Sequence, residues 1–237
     1  TTTRRDPRSH RALHPLTLFA DNPAAELTTR YENGGDAPVT LELLTSFTLG
    51  SLSPFSAGLA PGTLRIHRMR ANWSAEGRLV TEPAEDLQLE PSWKNYSANN
   101  LRFGCIGNYP VQGFVPFCGV EDTAHGVTWA AATTHASSWQ MELTRQDLGL
   151  RLAGGLADRE FGQWYKTLAP GEGFTDPKAV VTAVAGGVDR AAEALAENTR
   201  RTIEPGLPAP ERAMPVLFNE FCATWGEPTE QKVLAQV

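Results

Sequence analysis

Apolar and polar residues alternate with a period of two over much of this chain. Val39, Leu41, Leu43, Thr45, Phe47 and Leu49 alternate with Thr40, Glu42, Ser46 and Thr48, as in a strand with one buried face. The NGGD at 33–36 is a turn signal, and the LTTRYE before it completes an expected hairpin. TLRIHRM (63–69), GVTWAAAT (126–133) and KAVVTAV (178–184) read as further strands. Trp139, Met141 and Leu143 alternate, then Leu148, Leu150 and Leu152 do, with the polar TRQD between them as a tight connection. Many strands joined by short Gly- and Pro-bearing turns predict a mainly β fold, a large antiparallel sandwich over residues 1–185.

The pattern changes near residue 186. GGVDRAAEALAENTRRTI predicts a helix over 188–201: Gly186 and Gly187 break the preceding strand, Asp189 is placed to cap, and Ala191, Ala192, Leu195 and Thr199 share one face. EPGLPAPERAMP (204–215) carries four prolines and reads as an extended linker. Val216 to Asn219 then reads as a buried strand, followed by a polar turn carrying Cys222 and Trp225 and the opening of a helix. A strand feeding a helix is the first step of a parallel α/β fold. The expected division is a β-sandwich over 1–185, a linker helix and Pro-rich linker over 186–213, and the first βα segment of another domain over 214–237.

Composition narrows the function classes. The 237 residues include 21 Lys and Arg against 27 Asp and Glu, a net charge of −6, which argues against a nucleic acid or an anionic membrane as partner. No apolar run approaches the roughly 20 residues of a membrane span. The opening TTTRRDPRSH has neither Met nor a signal-peptide apolar region, so the natural start is expected upstream. Cys105, Cys118 and Cys222 are too few and too scattered for a disulfide framework or a zinc site, and read as reduced thiols of a cytoplasmic protein.

Candidate chemistry is sparse. There is no Gly-rich phosphate loop, no His pair at metal-ligand spacing and no nucleophile elbow, so no cofactor or metal ion is expected. The histidines are isolated: His67 alternates within a strand, and His125 and His135 flank one, as surface or hydrogen-bonded residues do. Trp129, Trp139 and Trp164 sit in strand-like contexts and read as core, whereas Trp73 and Trp93 lie in polar stretches. An exposed indole can stack on the apolar C–H face of a pyranose, or simply cover its own domain. Glycoside hydrolysis needs two carboxylates at fixed separation, and none here ends a completed parallel strand.

YENGGDAPVTLELLTSFTL, MRANWSAEGR, LAPGEGFTDP and MPVLFNEFCATWGEP resemble, in that order, stretches of glycoside hydrolase family 36, the bacterial and fungal α-galactosidases. LAPGEGFTDPKAVVTAVAGGVDRAAEALAENTRR (168–201) is similar to a segment in which a PGE-x-F-x-TP turn leads into a strand, a Gly and a helix; here Asp176 is inserted before Pro177. MPVLFNEFCATWGEP resembles the opening of the family's catalytic barrel, RPVL-x-N-x-W-E-A-T, with Asn219, Ala223 and Thr224 matching, Phe221 in place of Trp and Cys222 in place of Glu. MRANWSAEGR (69–78) looks like the family's GaWarE stretch with Trp73 and Glu76 in register, and YENGGDAPVTLELLTSFTL resembles its N-terminal hairpin. These matches follow the family's order over roughly residues 16–233.

The resemblance implies a galactose-mutarotase-like β-supersandwich, a linker helix and the start of a (β/α)8 barrel, which needs about 250 residues when complete. It implies a retaining hydrolase of terminal α-galactosides whose nucleophile and acid/base are aspartates on later barrel strands, outside this sequence. The chain alone is then expected to be inactive. Trp73, Asn219 and Trp225 are the expected substrate-binding residues: Asn219 and the loop to Trp225 follow the first barrel strand, and Trp-bearing sandwich loops reach the sugar pocket, sometimes from a neighbouring subunit. The implied partners are an oligosaccharide or α-galactoside substrate and further copies of the chain in a homo-oligomer. Two other readings stand beside it: a carbohydrate-binding or lectin-like sandwich, and a structural domain that mediates oligomerisation.

Overall fold

The alternating runs form strands, and all strand pairings among the described residues are antiparallel. The computed structural model describes residues 1–55, 61–90, 99–146, 149–216, 219 and 221–236. These divide into two compact units, residues 1–198 and 199–237.

In the first unit a seven-stranded sheet runs in the order Leu16–Phe19, Asn22–Leu27, Ala179–Ala185, Val127–Thr133, Gly113–Asp122, Leu64–Ala71, Arg78–Pro83. A four-stranded sheet runs Leu101–Cys105, Trp139–Gln146, Gly149–Leu156, Thr45–Leu52. Their inner residues share one core: Ile66, Cys118, Val120, Ala131 and Val181 from the larger sheet, Phe47, Phe103, Trp139, Met141, Leu143 and Leu152 from the smaller. Cross-strand partners such as Phe103 with Met141 and Leu143 with Leu152 put like with like, which sets the register. Each large side chain buried this way contributes about 1.5–3 kcal/mol. Trp139 is fully buried, and its indole N–H donates to the Pro110 carbonyl at 2.6 Å, so its one polar group is satisfied.

The outer face of the larger sheet is covered by the helix Val188–Ile203. Ala191, Ala194 and Leu195 pack on Ala24, Phe117, Ala130 and Val180, and Asn22 Nδ2 donates to the Ala194 carbonyl at 3.1 Å. The buried stripe is thus Ala191, Ala194, Leu195 and Asn198, whereas Ala192 and Thr199 face solvent. Asp189 lies inside the first turn, two residues past the capping position at Gly187, where its charge meets the positive end of the helix dipole.

Two turns far apart in sequence are joined through Asn33, which is 1% exposed. Its Nδ2 donates to the Ala37 and Leu168 carbonyls at 2.9 and 3.0 Å, and its Oδ1 accepts from Gly35 N. Its backbone N–H donates to the Glu172 carbonyl, and its carbonyl accepts from Gly171 N. The NGGD and PGE turns form one joint, with every polar group of Asn33 used.

That joint replaces the hairpin expected from the sequence. Val39–Leu41 pairs with Lys166–Leu168, whereas Arg30–Glu32 pairs with Arg11–Leu13 on one side and Gly173–Thr175 on the other. The continuous strand expected over 39–49 is also two strands in different sheets: the chain bends at Glu42, whose carbonyl accepts from Arg159 N, and Leu43 is left 54% exposed. The expected TRQD connection is corrected as well. Thr144, Arg145 and Gln146 pair with Arg151, Leu150 and Gly149 inside the ladder, and Leu148 falls outside the described residues.

The second unit contains only short helical segments among its described residues. The Pro-rich stretch is not extended: Glu204–Gly206 forms a 3₁₀ turn and Ala209–Arg212 a helical turn, each with Pro in its first positions. Proline lacks an N–H, but the first turn of a helix has no partner for that group, so Pro205 and Pro210 start helices there rather than prevent them. Of the strand expected at Val216–Asn219, residues 217 and 218 lie outside the described residues, and Val216 and Asn219 belong to no strand. Phe221–Thr224 and Glu230–Leu234 are short helices, the latter capped by Thr229.

Candidate functional site

Trp73 stands at the end of the strand Leu64–Ala71, where the chain turns back into Arg78–Pro83. The turn is tied locally: Ala75 N donates to the Asn72 carbonyl at 2.9 Å, and Ser74 N donates to Glu76 Oε1 at 3.0 Å. Ser74 and Gly77 take positive φ, which tightens the reversal and lifts Trp73 off the sheet. The indole is 91% exposed. It is free to stack, and its turn holds it without using the ring. Trp93, the other tryptophan of a polar stretch, falls outside the described residues.

Asn219 and Trp225 belong to the second unit. Asn219 is exposed, and its Oδ1 accepts from Phe221 N at 3.1 Å, at the start of the helix Phe221–Thr224. Trp225 follows that helix with φ of 54°, its ring edge-on to Phe221 at 5.9 Å and 75% exposed. Both residues therefore carry a local structural duty while presenting polar or aromatic surface.

The titratable groups of the first unit are mostly engaged in its framework. His67 is 3% exposed, with Nδ1 on Thr81 Oγ1 at 2.9 Å and Nε2 on Glu121 at 2.8 Å. Burial works against the charge of Asp122, but hydrogen bonds from Ser53 and from the His125 ring and amide outweigh it and hold its pKa below the usual carboxylate range. Asp176 is the opposite case. It is 2% exposed, and burial pushes its pKa to about 7 against the hydrogen bond from Ser46 Oγ at 2.6 Å and the Leu156 amide. Its Oδ1 has no hydrogen-bond partner among the described residues. A Cβ on Gly155, whose φ is +154°, would lie 2.6 Å from Asp176 Oδ2, so only glycine fits beside the carboxyl. A buried carboxyl titrating near neutrality resembles a general acid, but Asp176 faces the sheet framework, and neither the turn pattern nor composition marked it.

Trp164, read from sequence as a core strand residue, is in neither place. It follows the short helix Arg159–Gly162 and is half-buried, its ring tilted against Phe174 at 5.5 Å. Trp129 is also only half-buried, stacked on Phe55 at 5.8 Å. Cys105 and Cys118 are buried as expected. Among the described residues no group of three or more His, Cys, Asp and Glu is placed to hold a metal ion, and no helix is long and apolar enough to cross a membrane.

The sequence matches no protein-family model and no curated relative. The fold matches solved structures of GH36 α-galactosidases. A variant of AgaA from Geobacillus stearothermophilus in complex with stachyose superposes with a TM-score of 0.74 at 14% identity, over 96% of this chain and 29% of that one. AgaB from the same organism gives 0.73 at 14% identity, over 95% and 29%. The α-galactosidase of Lactobacillus brevis gives 0.64 at 13% identity, over 82% and 24%. The chain thus spans 24–29% of the length of these proteins.

Proposed function

We propose that this chain is the amino-terminal part of a larger retaining glycoside hydrolase that acts on terminal α-galactosides. One observation carries the reading: the fold matches GH36 α-galactosidases over 95–96% of this chain but only 29% of theirs. At 14% identity such a likeness establishes fold. The ordered short motifs, from YENGGD through MRANWS and PGEGF to PVLFN, extend it to function.

In this reading the sandwich is a non-catalytic support. Hydrolysis with retention requires two carboxyl groups about 5–5.5 Å apart, one to attack the anomeric carbon and one to protonate the leaving oxygen. Those groups belong to a barrel beyond residue 237. The helix Val188–Ile203 leads on toward that barrel, and PVLFN resembles the sequence that opens it. Trp73 and Trp225 offer indole faces to sugar rings, and Asn219 offers an amide to a hydroxyl. The substrate is a galactose-capped oligosaccharide, the assembled enzyme is a cytoplasmic homo-oligomer, and no cofactor takes part.

The test compares residues 1–237 with the product of the whole gene. The longer protein is expected to release p-nitrophenol from p-nitrophenyl α-galactoside with the α-anomer formed first, and residues 1–237 to release none above a blank. A whole-gene product without paired barrel carboxylates, or inactive on every α-glycoside tried, would overturn the proposal. So would turnover by purified residues 1–237.

A further inference from the structure

We propose that the first unit carries a second carbohydrate-binding site, a groove that takes a neutral pyranose ring between Trp164, Tyr165 and Phe174. The groove has a volume of about 690 Å³ and is formed where the strand Gly149–Leu156 ends, the short helix Arg159–Gly162 turns, and the strand Gly173–Thr175 passes. That volume lies within the range of small-molecule sites, roughly 300–1,000 Å³.

Three features of the lining select the ligand class. The first is aromatic surface: Trp164 is tilted against Phe174 at 5.5 Å, and Tyr165 beside them is 62% exposed. The second is unused polar capacity. The His135 ring, the Gln163 amide, the Trp164 indole N–H and the Tyr165 hydroxyl line the groove and make no hydrogen bond to the described residues. Burial lowers the pKa of His135, so its ring is neutral at pH 7, with one nitrogen to donate and one to accept. The third is charge: the lining contains no Lys, Arg, Asp or Glu. The Arg159 guanidinium, 5.9 Å over the Tyr165 ring, is already paired with Glu42, so an ionic ligand finds no free counter-charge, and a wholly apolar one strips water from four polar groups without replacing it. A pyranose has an apolar face for the rings and hydroxyls for the imidazole, amide and indole.

The backbone supports the placement. Gln163 closes the helix Arg159–Gly162 with φ of 56°, a left-handed position usually given to glycine. That left-handed cap places Gln163 among the residues lining the groove. This inference rests on the lining residues of the first unit and is independent of the hydrolase reading.

The experiment follows the Trp164 indole N–H in ¹H–¹⁵N NMR spectra of the 237-residue chain, its resonance assigned by loss in Trp164→Phe. The probes are D-galactose, D-glucose and D-mannose, with glycerol as a hydroxyl-bearing control without a ring. At least one hexose is expected to shift this resonance saturably with Kd on the order of 1 mM, and glycerol is not. Tyr165→Ala is expected to weaken that binding roughly 2- to 10-fold through loss of the stacking surface, with the melting temperature unchanged. Gln163→Gly is expected to weaken it while raising the melting temperature, since glycine relieves the positive φ. No saturable shift with any hexose, an equal shift with glycerol, or unaltered affinity in both variants would overturn the site. A hexose shift confined to the Trp73 indole would also overturn it, while supporting the hydrolase reading instead.

Discussion

Asp176→Asn should stabilise the protein at alkaline pH and leave it nearly unchanged in acid. The wild-type carboxyl is 2% exposed, and burial lifts its pKa from 3.8 to about 7. Below the unfolded value both states hold the proton, and the shift affects nothing. Between the two values the unfolded chain has released its proton while the folded chain keeps it, so stability falls as pH rises, and the loss is complete above about pH 7. A shift of about three units corresponds to about 4 kcal/mol as an upper bound, and relaxation around the charge reduces this to roughly 2–4 kcal/mol. Asparagine keeps the shape beside Gly155 and can still accept from Ser46 Oγ, but never ionises. For a domain of this size, a gain of that order raises the melting temperature by roughly 5–15 °C. Thermal unfolding followed by circular dichroism, at intervals from about pH 3 to pH 9, should show the variant and wild type converging in acid and separating through about pH 4–7. A separation that does not depend on pH, or a variant that loses stability most in alkali, would show that the carboxylate charge is welcomed in the fold and refute the reasoning.

Asn33→Ala removes the side chain that joins two turns and leaves the Ala37 and Leu168 carbonyls and Gly35 N without it; urea titration should register a loss of about 2–4 kcal/mol, and no loss would mean water replaces the amide freely. Cys118 is fully buried, and burial pushes its thiol pKa to about 12, with Cys105 buried as well, so iodoacetamide at pH 8 should add one label, at Cys222. Mass spectrometry showing label on Cys118 in the native protein would contradict that packing. Trp73→Ala should change stability by less than about 0.5 kcal/mol, since the ring is 91% exposed; a larger drop in melting temperature would mean that the ring is packed.

The sequence alone determined the class of the fold and about half of its described strands, and passed over others, the central Gly113–Asp122 among them. Leu64–Ala71, Val127–Thr133, Ala179–Ala185 and the helix Val188–Ile203 stand where the apolar periods put them. Periodicity is a local property, and burial against a sheet or a core preserves it. The short motifs likewise led to the fold later found by comparison with GH36 α-galactosidases. Pairing was decided elsewhere. Nothing local to Arg30–Glu32 says that its partner is Gly173–Thr175, about 140 residues on, because a strand's hydrogen bonds accept any complementary edge. The prolines of 204–215 read as helix breakers, but position within the turn decides their effect, and only coordinates supply that position. Candidate site residues divide the same way. Trp73 was legible because a polar stretch around an indole signals exposure. Trp164 was not, since its half-burial and its neighbours Phe174 and His135 come from separate strands and loops brought together in space. The pKa of Asp176 belongs wholly to tertiary structure: a carboxyl after a turn looks solvated in sequence, and only the packing of Gly155 and Ser46 against it removes the water.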